Sequence, residues 1–271
     1  MLTSQVRHPA VAGQFYPGSR SALVAELEAY MPQRTNLIPA LGCVAPHAGY
    51  VYSGTVAGAV FASIQIPEHV ILLCPNHTGL GRPLSLMREG VWETPLGAVP
   101  IDTDLASALL DQSALLEINA DAHRAEHAIE VELPFLQLRH PGIRFVPIAV
   151  GTSRWDYLAA VGEAVGCAVG GFGQKALIVA SSDMNHYESD HITRIKDGKA
   201  IERMLALDPL GLYDVVMNED ISMCGYGPAT IMLIAAKHLG ATRAVQIRYA
   251  TSGDVSGDRR SVVGYAGIAI S

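Results

Sequence analysis

Charge is scarce in this chain. Only 17% of its 271 residues are Asp, Glu, Lys or Arg, against 49% that are hydrophobic. So low a charged fraction puts much of the chain in the interior, enough for one large core. Cations are the rarer charges: 19 Lys and Arg stand against 26 Asp and Glu, a formal net charge of −7. No cluster of Lys and Arg stands out, which argues against a nucleic-acid partner. Long apolar runs are missing too. None approaches the ~20 residues that cross a bilayer, so no membrane partner is expected. The best stretch, 155–172, contains Asp156 and Glu163 and reads as an amphipathic helix. The first residues lack the apolar segment of a signal peptide. Cysteine is sparse and unpatterned: Cys43, Cys74, Cys167 and Cys224 show no C-x-x-C spacing. Reduced thiols in a cytoplasmic protein are the expectation. There is no internal repeat, and no G-x-S-x-G elbow surrounds Ser181-Ser182.

Three similar stretches remain. Cys43-Val44-Ala45-Pro46-His47, Ile71-Leu72-Leu73-Cys74-Pro75-Asn76-His77 and Ile178-Val179-Ala180-Ser181-Ser182-Asp183-Met184-Asn185-His186 each run from an apolar strand into a loop ending on histidine. In α/β sheets, ligands bind outside the carboxyl ends of strands. Three imidazoles delivered to that edge point to one shared site. The surrounding pattern predicts strands at 41–45, 69–74, 143–150, 176–181, 244–250 and 261–270. Helices are predicted over 20–31, 54–63, 103–111, 126–139, 155–169 and 228–239, with two more in 191–217 broken at Asp208-Pro209. Residues 83–102 read as an antiparallel excursion, and Pro147 argues for an edge or a bulge in its strand. The small residues of 54–63 are expected to bring that helix close to the sheet. The whole, 1–271, is expected to be a single α/β domain with a central mixed β-sheet flanked by helices.

His47, His77, His127 and His186 sit beside Gly, Pro, Asn or acidic residues rather than in apolar surroundings. Cys224, in the glycine-rich loop Cys224-Gly225-Tyr226-Gly227, offers a soft third donor for a metal, or else a small buried hydrophobe. Asp183 is placed to orient His186 for proton transfer, to support a ligand, or to cap a turn. Glu126 and Glu130 suit a helix N-terminus, with His127 facing the same cavity. Tyr50, with Phe15, Tyr16 and Tyr52, either lines the pocket or packs in the core. His8, His69, His140 and His238 read as surface or boundary residues. A metal-free hydrolase using Cys224 with His186 and Asp183 is a further alternative.

The elements AGQFYP (12–17), APHAGYVYSG (45–54), PNHTG (75–79), EHAIEVELPF (126–135), SSDMNHY (181–187) and CGYGP (224–228) together resemble the MEMO family. The resemblance covers essentially the whole chain. That family includes protein B of the AmmeMemoRadiSam system and is similar in fold to class III extradiol dioxygenases. The resemblance implies His47 and His77 as metal ligands, with Cys224 where those dioxygenases place a glutamate. It makes His186 the acid/base residue with Asp183 beside it, and puts His127 near the site. Iron(II) or copper is the implied ion, and such a donor set also suits zinc. The implied function is a redox protein, oxygenase-like in chemistry, acting on a small molecule or peptide and linked functionally to a radical SAM protein. The alternative is a module that reuses the pocket to bind a peptide or protein.

Overall fold

The computed structural model describes residues 5–271. Four parallel strands form its centre, side by side in the order Gly42–Ala45, Ala176–Ser181, His69–Pro75 and Arg144–Val150. Their sequences are almost continuously apolar because helices cover both faces. Alternate residues divide cleanly between two cores. Val44, Ile71, Leu73, Val146, Ile148 and Ile178 face one; Cys43, Val70, Leu72, Cys74, Leu177 and Val179 face the other. The first core is closed mainly by the helices Thr103–Gln112, Trp155–Gly171, Asp190–Leu205, Pro209–Asn218 and Tyr226–His238. The second is closed by Arg20–Tyr30, Tyr50–Ser63 and Ala128–Arg139.

Antiparallel strands extend the sheet on both sides and make it mixed. Val262–Ile270 pairs with Gly42–Ala45, and Ala244–Thr251 and His186–Glu188 pair with Val262–Ile270 in turn. On the other side Leu84–Leu86 runs antiparallel to Arg144–Val150. A separate small sheet holds Val6–Arg7 and the hairpin Val91–Thr94 and Gly97–Pro100, so the 83–102 excursion divides between two sheets. No helix among the described residues is long and apolar enough to cross a membrane.

Two local expectations need correction. Pro147 lies in an interior strand, not at an edge, with Leu72 beside it in register. It is tolerated because the ladder with Leu84–Leu86 ends there. Met87 N–H still donates to Pro147 O at 3.4 Å, and only the reciprocal bond, which proline cannot make, is missing. The Tyr50–Ser63 helix does pack closely on the sheet, where a Cβ on Gly267 would lie 2.4 Å from Val60 Cγ2, but its own glycines serve a neighbouring helix. A Cβ on Gly58 would lie 2.5 Å from the Tyr30 carbonyl oxygen, and one on Gly54 would meet the Tyr30 ring at the same distance.

His69 is a third correction: it is buried, not a boundary residue. Its Nδ1 lies 2.5 Å from Asp102 Oδ2 and its Nε2 lies 2.9 Å from Gln174 Oε1. Two acceptors flank the ring, so the imidazolium, with two N–H donors, fits best. Burial disfavours that charge, but the bonds to Asp102 and Gln174 and the Asp102 charge outweigh it and raise the His69 pKa above its ordinary 6.5. A raised folded pKa gives stability that is fully present below the unfolded value and fades as pH rises through the folded one. His69→Gln is therefore expected to lower stability by about 1–3 kcal/mol near pH 6, and by less near pH 9. Calorimetric melting of both proteins across that range checks it; a gap that widens with pH would refute the charged pair.

Candidate metal and catalytic site

The three histidine-bearing loops leave the carboxyl ends of adjacent parallel strands, and the chain brings a fourth element to them. Gly225 is what allows this. A Cβ there would sit 2.4 Å from Ser181 O and from Ser182 Cβ, so only glycine lets the 224–228 loop press against the end of the Ala176–Ser181 strand. Gly225 N–H donates to Ser182 Oγ at 2.9 Å. Cys224 is thereby delivered to His47, with Sγ 3.4 Å from Nε2.

Donor atoms of His47, His77 and Cys224 all lie within 4.8 Å of one another. Metal bonds of about 2.0–2.3 Å span donor separations up to roughly 4.5 Å, so the set stands at or just beyond coordinating distance. His47 is buried, and burial first, then the nearby histidines, hold its pKa well below the ordinary range. Its Nδ1 lies 2.8 Å from Ser181 Oγ, which in turn donates to Ala128 O at 2.9 Å and lies 3.0 Å from Glu132 Oε1. Burial pushes the Glu132 carboxyl well above its usual range, so this support is uncharged. With Nδ1 occupied, the Nε2 lone pair of neutral His47 faces the sulfur.

His77 is held by Glu126. The carboxylate accepts the His77 backbone N–H at 2.6 Å, meets Nδ1 at 2.9 Å and accepts Ala128 N–H at 3.0 Å. This leaves Nε2 as the free nitrogen of His77. Burial works against charge on His77, but the Glu126 bond and charge overcome it and raise its pKa. Burial likewise opposes the Glu126 carboxylate, and its bonds to His77 and Ala128 lower its pKa on balance. A carboxylate behind a ligating imidazole fixes its tautomer and orientation. Nothing local in the sequence flags that role, since Glu126 lies 49 positions from His77.

His127 stacks on His77, with ring centroids 4.8 Å apart, and meets His47 edge-on at 5.4 Å. Burial lowers its pKa. With His77 and Glu126 it forms a second group of donors near enough to share an ion. Glu126 already spends its oxygens on His77 and Ala128, so the group containing Cys224 has the freer donors.

Asp183 and His186 are both at the site, but not as a pair. Asp183 Oδ1 accepts the backbone N–H groups of His47 at 2.9 Å and Ala48 at 3.3 Å. It therefore fixes the His47 turn rather than the His186 ring. Burial raises its pKa to about 6 against the pull of those N–H groups and of His186. His186 is oriented instead by Ser222. Its ring Nδ1 lies 2.8 Å from the Ser222 carbonyl oxygen, and Ser222 Oγ accepts its backbone N–H at 2.8 Å. The Nδ1–H tautomer leaves Nε2 as the proton acceptor. Cys224 has His47, not His186, as its imidazole neighbour, so the Cys-His-Asp hydrolase arrangement is not formed.

A cavity of about 630 Å³ opens over these groups, lined by His47, His77, His127, Asp183, His186 and Cys224 together with Phe15, Tyr187 and Tyr265. Tyr50 does not line it. That ring is buried in the second core against Phe135, with its hydroxyl donating to Val131 O at 2.8 Å. Tyr265 comes from the C-terminal strand, which sequence reasoning treated only as scaffold. Tyr187, 78% exposed, has a left-handed φ of 62°.

Similarity to known proteins identifies the family. A family described as Memo-like protein matches residues 7–269. A MEMO1 family protein of Methanothermobacter thermautotrophicus is 42% identical over 273 residues, covering 96% of this chain and 99% of the relative. One from Methanosarcina acetivorans is 43% identical over 268 residues, covering 98% of this chain and 99% of that protein. The crystal structure of an uncharacterized Escherichia coli K12 protein shares the fold, with a TM-score of 0.57 and 14% identity over 84% of this chain and 98% of that one. With a family match over residues 7–269 and relatives matched nearly end to end, this mixed α/β chain belongs to the MEMO family.

Proposed function

We propose that this protein binds a redox-active metal ion, iron(II) or copper, through His47, His77 and Cys224, and acts as an oxygenase-like redox protein on a small molecule or peptide in the cavity. The observation that carries this reading is the convergence of two imidazoles and one thiol, from three separate chain segments, on the floor of one cavity. The donors suit the ion chemically: a thiolate with two imidazoles is softer than the two-His, one-carboxylate set and accepts copper or zinc as well as iron. When bound, the ion would supply electron transfer and activation of a ligand at its open positions.

The remaining roles fall to the chain. Glu126 and Ser181 hold the two imidazoles with Nε2 free. Asp183 fixes the His47 turn. His186, held by Ser222 at Nδ1, accepts or returns a proton at Nε2 for a substrate in the cavity. Phe15 and Tyr265 give the cavity its apolar, aromatic lining.

The test is anaerobic loading of untagged protein with Fe(II), Cu(I) or Zn(II), followed by elemental analysis and measurement of oxygen uptake. His186→Asn is expected to keep wild-type metal content while losing turnover. Glu126→Gln is expected to weaken affinity roughly 10–100-fold, the usual effect of removing a carboxylate behind a ligand. Loss of metal on His186→Asn would make it a ligand and reopen the place of Cys224. Protein that takes up none of these ions would leave the cavity as a peptide- or protein-binding pocket.

A further inference from the structure

The helices Trp155–Gly171 and Tyr226–His238 pack directly against each other, and glycine sets how closely. A Cβ on Gly162 would come within 2.7 Å of Ile234, and one on Gly166 within 2.7 Å of His238. Each pair is one turn apart on its helix, so the two glycines form a groove that seats Ile234 and His238. The residues following those glycines carry chemistry. Glu163 follows Gly162 and Cys167 follows Gly166, four positions apart on one exposed face. His238 Nδ1 lies 2.9 Å from Glu163 Oε2, and His238 Nε2 lies 3.7 Å from Cys167 Sγ. The carboxylate takes the Nδ1–H, which leaves the lone pair of the neutral ring on Nε2, facing the sulfur. His238 is the last residue of its helix.

Cys167 is also the exposed thiol of the four. Cys43 and Cys74 are buried, and Cys224 is half-buried at the metal site. The sequence alone placed Cys167 among reduced thiols and His238 at the surface or a boundary, with nothing to link them.

We propose that Cys167 is an S-thiolation site, a base-assisted surface thiol that exchanges with low-molecular-weight disulfides. His238 Nε2 takes the thiol proton as Cys167 Sγ attacks one sulfur of the disulfide. A new sulfur–sulfur bond forms, the original one breaks, and the departing thiolate takes the proton back from His238. Cys167 is oxidised to a mixed disulfide and the other half of the small disulfide is reduced to a thiol, with no other reactant. Glu163 orients the base but does not touch the disulfide, so it is a positioning residue. None of this involves His47, His77 or Cys224, and it stands or falls apart from the metal reading.

The probe is oxidised glutathione, with adducts located by intact mass and peptide mapping and rates followed from pH 6 to 10. A single adduct on Cys167 is expected, and none on that peptide in Cys167→Ser. Near neutral pH the rate should fall roughly tenfold in His238→Asn and severalfold in Glu163→Gln. The three rates should converge at high pH, where the thiol ionises unaided. That convergence separates a lost base from a merely disturbed surface. Glu163 is exposed, so Glu163→Gln keeps the test valid even if His238→Asn loosens the helix contact. Variant rates equal to wild type throughout, or glutathione carried mainly by another cysteine, would reduce Cys167 to an ordinary exposed thiol and overturn the proposal.

Discussion

Cys224→Ala is expected to leave a folded protein that holds iron or copper at least roughly 100-fold more weakly than the wild type, beyond what loss of an outer-shell partner produces. The sulfur stands 3.4 Å from His47 Nε2. Without it the set drops to two imidazoles at the floor of the cavity, too few to compete with water. Burial, and then the nearby Asp183 charge, push the thiol pKa well above its usual range. The free protein therefore carries a thiol, and ion binding must expel its proton. Cys224→Glu is the informative companion. It offers a harder donor, and should retain Fe(II) while losing preference for Cu(I). Competitive anaerobic loading of the three proteins, read as the copper-to-iron ratio and the metal content per chain, decides the matter. Wild-type binding by Cys224→Ala would move the ion to the neighbouring donors His77, Glu126 and His127 and remove Cys224 from the site.

The second large effect is on stability. Glu130→Ala is expected to destabilise the fold by about 3–5 kcal/mol, the cost of stripping one partner from a buried ion pair. In a chain of this size that lowers the melting temperature by about 10 °C. Glu130 is fully buried. Its two oxygens accept from Arg7 Nη1 at 2.7 Å, Ala10 N–H at 2.8 Å, Val11 N–H at 2.9 Å and Tyr16 hydroxyl at 2.7 Å. Arg7 also donates to the carbonyls of His123 and Glu126 at 2.7 Å and lies over the Trp92 ring at 4.0 Å. Loss of Glu130 would orphan a buried guanidinium and free the 8–18 arm, including Phe15 at the cavity. Thermal unfolding measures it. A shift of only a degree or two would show that water or a rearranged arm replaces the carboxylate.

The strands and helices of the two cores were legible because burial on both sheet faces leaves an unbroken apolar run, and because Pro209 and the glycine-rich loops punctuate the chain. The convergence of His47, His77 and Cys224 was legible because strand ends in such sheets share one edge, helped by the family motifs. What failed was partner choice over long sequence distance. Asp183 sits three residues from His186 but bonds the His47 turn, and Ser222, 36 positions away, holds the ring. Glu130 read as a helix-terminal charge, yet its partners come from residues 7–16. His69 read as surface because its acceptors, Asp102 and Gln174, lie 33 and 105 residues along. Periodicity reports which face is buried; it carries no information on which distant polar atom will be there to meet a buried one.

The strand Val262–Ile270 hydrogen-bonds to Gly42–Ala45, whose carboxyl end carries His47. On the ribosome, the first half of the site is made long before the strand that flanks it. Until that strand emerges, Gly42–Ala45 presents an unpaired apolar edge of the kind that invites aggregation. Pairing across more than two hundred residues is slow to close by chain search. Nascent chains are thus expected to need shielding during synthesis, and the sheet that carries the donors to be complete only at its end. An ion bound as proposed would then be inserted late, after translation.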